Sequence, residues 1–376
     1  MNLTKNESID FIKMNGERCP DIFNYYYDLN IFYTPMIILG GFVGNFLSFL
    51  VLSTTHLKMR SSSYYLAALA LSDSGYLVTV VVIYCSVSEF FELYNIEGFC
   101  QFVTYLSSVC SFLSVWLTVA FTTERFIAVR YPLQRQYMCT ISRAKTIVFS
   151  LTFIAAITQI HVLWTSGLVL HEEIHYCSIK QDYRVLGNIT NLLDTMFTCA
   201  IPTILILFMN VVIAHSVFKS RNILMQGTQE DERLSSDRVR FHHVSSQSSD
   251  STRNSDPEYS TSSRRLKNDH YSLRRNRSTR PTSLQIQHNI NKMLLVISSV
   301  FITLNFPSYV IRAMYYYNLV VGIKPPHTTS MNCAHQFAML LFYTNFSINF
   351  LLYAVCGKSF RACLKKMLRD FCRKLM

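Results

Sequence analysis

GFCQFVTYLSSVCSFLSVWLTVAFTTERF, residues 98–126, carries no Asp, Glu, Lys or Arg until Glu124 and Arg125 stand side by side near its end. A bilayer core of about 30 Å needs about 20 apolar residues per helix, so this stretch alone is long enough to cross one. Four more windows are uncharged over similar lengths: Leu29–Leu57, Thr146–His171, Met293–Ile311 and Pro325–Gly357. Two others, Ser61–Ser88 and Val185–Phe218, hold one acid each, Asp73 and Asp194. Half of the 376 residues are hydrophobic and 15% are charged, against about a quarter charged in an ordinary soluble chain. A soluble core has no use for seven such windows in succession. The expected fold is an all-α membrane protein, a seven-transmembrane helix bundle closed by a short amphipathic C-terminal helix.

Basic residues set the expected orientation, because they collect on the cytoplasmic side. Lys58 and Arg60 follow the first window, and Arg130, Arg135, Arg143 and Lys145 lie between the third and fourth. The opposite loops carry Glu89, Glu92, Glu97, Glu172 and Glu173. The N-terminus is therefore expected outside and the C-terminus inside, in a multi-pass protein of the plasma membrane. Residues 1–30 form an extracellular tail, 31–219 helices one to five, and 285–356 helices six and seven. The fourth helix is expected over 143–169. Between the blocks, 220–284 is Ser-rich and poor in large apolar residues, and reads as a disordered cytoplasmic loop. In 357–376, Phe360, Leu364, Met367, Leu368 and Phe371 fall at helical spacing among lysines and arginines, the pattern of a helix lying on membrane lipids. Cys363 and Cys372 there are candidates for palmitoylation. The net charge of +12 is dispersed between spans, which disfavours nucleic acid as a partner. The first 28 residues hold no apolar signal-peptide core, and Asn2 and Asn6 open glycosylation sequons.

Cys100 and Cys177 both fall on the expected outer side, where a bond between them would pin the loop after the fourth helix over the bundle. Cys19 and Cys333 are the other outer thiols, and their spacing leaves a second bridge open. Acids inside a membrane are costly and usually functional. Asp73 lies mid-window, and Ser114, Asn345 and Asn349 stand at matching depths. Such a cluster is either a sodium-sized oxygen site or a hydrogen-bonded structural acid. His171-Glu-Glu-Ile-His175 matches the zinc-protease pattern HExxH, but it sits in a loop beside Cys177 rather than on a helix. An intramembrane metalloprotease and a transporter are both disfavoured: no third metal ligand and no internal repeat accompanies these features.

Taken together, GFVGN at 41–45, LALSD at 69–73, Cys100 with Cys177, ERF at 124–126, Pro202, FP at 306–307 and NFLLY at 349–353 resemble the rhodopsin-like (class A) G-protein-coupled receptors. The resemblance covers about residues 30–372, apart from the long loop. SSSYYLAAL (61–69) and YMCTISRAK (137–145) are most similar to thyrotropin-releasing-hormone-like and invertebrate neuropeptide receptors, CNMamide-type among them. The resemblance implies a receptor, not an enzyme. It implies a heterotrimeric G protein as partner, followed by receptor kinases and arrestin, and no cofactor beyond an allosteric sodium ion. In it Arg125 would be restrained by Glu124 and released on activation, with Asn349 and Tyr353 belonging to the same switch. The chain departs from the family where Phe350 replaces the usual Pro, Asn305 the usual Trp, Thr152 another Trp and Asn210 a Tyr.

The missing chemistry narrows the ligand. Ser107 stands where amine receptors carry an Asp, and no lysine in the seventh span could hold retinal. Arg312, with Tyr309 and Tyr315 nearby, offers a guanidinium among aromatic walls, which suits the carbonyl and amide groups of a short neuropeptide. The resemblance adds Gln101, Thr104, Ser108, His335 and Met339 as pocket lining. The acids Glu89, Glu92 and Glu97 would attract a basic peptide. A lipid or other small-molecule ligand is the alternative.

Overall fold

A computed structural model describes residues 20–88, 92–171, 174–216, 218–219, 283–321 and 329–375. Asn2, Asn6 and Cys19, the side chain of Cys333 and loop residues 220–282 lie outside the described residues. Among those described, seven helices are long and apolar enough to cross a membrane. The chain divides into two compact units, residues 1–212 with 292–376, and 213–291. The packing and the sites below belong to the first.

The helices are α1 (Pro20–Thr54), α2 (Ser61–Val87), α3 (Phe99–Arg130) and α4 (Ile141–Thr158), followed by a hairpin of β1 (Ser166–His171) and β2 (Ile174–Ile179). Next, α5 begins at Arg184–Thr195, passes through a π-helical turn at Met196–Ala200 and regains α geometry over 201–216. α6 (Ser283–Val321) contains Pro307, and α7 (Thr329–Cys356) runs without proline into α8 (Lys358–Leu375).

The fourth helix is shorter than its apolar run suggested. α4 ends at Thr158, a turn of helix follows at Val162–Thr165, and Ser166 already opens β1. Residues 166–169 of the expected span are therefore strand. Their backbone groups pair with β2 in register, Leu168 opposite Cys177. An apolar strand and an apolar helix end look alike to a charge count, which is why the boundary moved.

α2 packs on α1 and α3, α7 lies against α1, and α4 rests on α2 and α3. Gly41 and Gly44 permit the close approach of α1. A methyl at Gly41 would stand 2.6 Å from Leu77 and Ser347, and one at Gly44 would stand 2.8 Å from Phe350. Asn45 uses that proximity to donate to the Phe346 carbonyl at 2.9 Å. One buried cluster joins Ile38, Tyr76, Leu77, Val80, Cys110, Tyr309, Phe342 and Phe346, with Tyr76 stacked on Phe346 at 3.8 Å. A second joins Val115, Val119, Ile206, Met209 and Phe301.

The outside of the bundle is apolar. Phe149 and Phe153 on α4 are 74% and 61% exposed, and Phe32 and Met36 on α1 are 73% and 72% exposed. In water such a surface would drive aggregation; in a bilayer it faces acyl chains. Several threonines inside the helices return their hydroxyls to the backbone, as Thr118 does to Ser114 (2.9 Å) and Thr122 to Thr118 (2.8 Å). That satisfies them where no water is at hand.

Candidate functional site

Polar groups gather at several places along this bundle. One such centre is built on Asp73, which is fully buried on α2. Its carboxylate accepts from Ser114 Oγ on α3 at 2.8 Å and from Asn349 Nδ2 on α7 at 2.6 Å. Asn345, only 4% exposed, lines a narrow crevice with Ser114, Thr118, Phe301 and Asn349. Three helices thus meet at one buried carboxylate, with the Ser114 hydroxyl and the Asn349 amide N–H both turned onto it.

The second centre closes α3. Arg125 Nη2 donates to Glu124 Oε1 at 3.2 Å, with the two residues 9% and 7% exposed. The guanidinium lies 5.6 Å from the Phe121 ring, and its Nε is buried without a hydrogen-bond partner. The pair is therefore incompletely satisfied, and an orphaned donor on a buried cation favours any conformation that supplies an acceptor. Tyr353, 1% exposed, likewise has an unpartnered hydroxyl, and its ring meets Phe360 of α8 at 5.7 Å. In α8 Cys363 is buried beside the His56 imidazole, whereas Cys372 is exposed.

The third centre lies at the other end of α3. Cys100 and Cys177 form a disulfide that fastens β2 to the start of this helix. Glu97 reinforces it, accepting from Gln101 on one side and from the Leu168 amide at 3.3 Å on the other, with Lys180 Nζ 3.4 Å away. The Gln101 bond, then the Leu168 N–H and then Lys180, holds the Glu97 carboxyl below its ordinary range. The charge expected to attract a basic peptide is thus partly spent on Lys180. Gln101 is spent too, since its carbonyl oxygen accepts from the Gly98 amide at 2.6 Å. Thr104 donates to the Cys100 carbonyl and Ser108 to the Thr104 carbonyl.

Further into the bundle, Arg312 lies 5.9 Å over the Tyr309 ring. It interacts electrostatically with Tyr316, Asp194, Tyr309 and Tyr76, and His335 feels its charge. Tyr309 is 2% exposed and sits in the aromatic cluster beneath the cation, edge-on to Phe342 at 5.6 Å. Met339 packs on the same cluster, and Tyr315 is turned outward, 40% exposed, against Tyr316. Sequence reasoning did not place Asp194 or Gln159 in a site, yet Gln159 Nε2 donates to Asp194 Oδ1 at 2.7 Å. Its signal was visible as the single acid of the fifth window.

The HExxH pattern has no helical geometry. His171 ends β1 and His175 lies in β2, so the two stand on opposite strands of the hairpin.

The family described as 7 transmembrane receptor (rhodopsin family) matches residues 44–353. The chain belongs to that family: it is a multi-pass membrane receptor and not an enzyme. Over 340 residues it is 27% identical to the thyrotropin-releasing hormone receptor of Bos taurus, covering 88% of this chain and 76% of that protein. It is also 27% identical over 188 residues to the pyrokinin-1 receptor of Drosophila melanogaster, covering 49% and 43%. A neuromedin U receptor homolog of Caenorhabditis elegans is 26% identical over 166 residues, 43% and 41% of the two chains.

Proposed function

We propose that the chain is a plasma-membrane receptor for a short neuropeptide, with its N-terminus outside, and that it activates a heterotrimeric G protein inside. The carrying observation is the cluster of side chains around Arg312. A guanidinium lies over the Tyr309 ring and acts on Tyr316, Tyr76 and Asp194, in a bundle that carries a disulfide-pinned hairpin and whose relatives are named for peptide hormones. Guanidinium donors match peptide carbonyls and a C-terminal amide, and the rings supply apolar area with polar tips.

A peptide shifts the receptor only by binding its active form more tightly than its resting form. Arg125 is the group that reads the shift, because it is held by Glu124 with one donor unspent and gains by meeting carbonyls of a G-protein helix. Asp73, Ser114, Asn345 and Asn349 would hold a sodium ion in the resting form, supplying a counter-charge to the buried carboxylate. Receptor kinases and arrestin would end the signal, and α8 would rest on membrane lipids.

The test is a panel of synthetic amidated peptides applied to cells expressing the chain, with calcium and cyclic AMP read together. A responding peptide should lose its effect in Arg312→Ala while surface expression holds. Undiminished potency in that variant removes Arg312 from the site. A response confined to lipids or other small molecules overturns the peptide reading.

A further inference from the structure

Asp194 is a carboxylate within a membrane-spanning helix, and neither the α3 switch nor the Asp73 centre uses it. An acid at such a depth is costly unless it is paired or awaits a charged group. One of its oxygens, Oδ1, accepts from Gln159 Nε2 at 2.7 Å, just beyond the end of α4. That amide is neutral and leaves the charge uncompensated. Arg312 on α6 and His161 after α4 both act on Asp194 electrostatically. Among the described residues, however, no direct ion pair joins it to either. Arg312 is instead held over Tyr309, and His161 Nδ1 lies 3.0 Å from the Thr158 carbonyl. Asp194 and Arg312 thus act on each other without a direct ion pair between them. The α5 backbone enters its π-helical turn at Met196, two residues beyond Asp194. Such turns are frequent where a helix aims side chains at a functional site.

We infer that Asp194 is the second charged anchor of the Arg312 site, and that the peptide it takes carries a cationic group which docks on Asp194 while a carbonyl or amide oxygen docks on Arg312. The inference rests on the peptide reading given above. The cation is either a lysine or arginine side chain or a free N-terminal ammonium. Either one replaces the missing ion pair, so the ligand completes an electrostatic arrangement that the protein leaves open.

The probes are the peptides active in the panel, each made in three forms: native, N-terminally acetylated, and with every lysine or arginine replaced by glutamine. On the wild-type receptor one of the two modified forms should lose potency on the order of 30-fold, the cost of removing one partner from a desolvated charge pair. Which form loses identifies the source of the cation. In Asp194→Asn, which retains a group able to accept from Gln159, the native peptide should lose a similar factor and the neutralised form little more. Asp194→Glu should restore the preference for the cation. A purely structural Asp194 would lower potency for all three forms alike in Asp194→Asn, and that result overturns the proposal while leaving the peptide reading intact. Active peptides that carry no cation also overturn it. A panel in which no peptide acts overturns the peptide reading, and this inference with it.

Discussion

Asn349 on α7 donates to Asp73 on α2 at 2.6 Å across 276 residues of sequence. With the bond from Ser114, it ties three helices to one buried carboxylate, so any movement of α7 must stretch a charge-assisted contact or carry α2 along. If a sodium ion stabilises this arrangement, raising NaCl should lower agonist affinity in the wild type. Asp73→Asn should abolish that salt dependence, to within about twofold. Competition binding in sodium against an organic cation of equal ionic strength checks this. A wild type indifferent to sodium leaves Asp73 as a hydrogen-bonded structural acid.

Removing the charge of Glu124 should raise signalling without agonist. Arg125 is buried and already short of one acceptor, and deleting the partner of a buried ion pair costs about 3–5 kcal/mol. That cost falls on the form in which the pair is made. Glu124→Gln should therefore show severalfold higher basal G-protein activation, measured as nucleotide exchange in membranes at matched expression. Arg125→Ala should bind agonist yet fail to activate.

The hairpin should loosen in acid through Glu97. Its carboxyl is held below the ordinary glutamate range by Gln101, the Leu168 amide and Lys180. A depressed pKa means that the stabilisation is present above the unfolded value and is lost as the pH falls through the folded one. Hydrogen exchange at the Leu168 amide, corrected for its intrinsic rate, should be flat from neutral pH down to about 5 and should accelerate below the ordinary glutamate pKa, about 4.3. Glu97→Gln should remove this dependence and leave the disulfide intact.

The two cysteines of α8 should differ in acylation. Cys372 is exposed, whereas Cys363 is 3% exposed and packs beside His56. A thioester on Cys363 would need its chain to leave a filled space. Metabolic palmitate labelling should disappear in Cys372→Ser and persist in Cys363→Ser; the opposite pattern would mean that α8 lifts from the bundle.

The seven spans were legible because charge is expensive in a bilayer, so its absence over about 20 residues marks a helix whatever the side chains do next. Asp73 and Glu124–Arg125 were legible for the same reason, as charges where none should be. The hairpin was not, since SGLVLH is apolar in either geometry. Gln101 illustrates another limit: the resemblance named it as pocket lining, and no sequence pattern shows that its amide is bonded to Gly98 and Glu97. Asp194 was visible as a lone acid, yet its bond to Gln159 depends on how α4 and α5 face each other. Spacing along one helix carries no record of its neighbour's azimuth. Tyr309 and Arg312 stand three residues apart, a spacing that puts them on one side of α6, but only packing shows that the ring lies beneath the cation.

The π-helical turn at Met196–Ala200 makes α5 a ratchet with one surplus tooth. Each residue advances a helix by about 100°, so deleting any one of these five would restore regular winding and swing Asp194 about that far relative to Pro202. The carboxylate would leave Arg312 without either residue having been mutated. Insertions and deletions in this short turn are thus a route by which related receptors could change what they recognise while every pocket side chain stays the same.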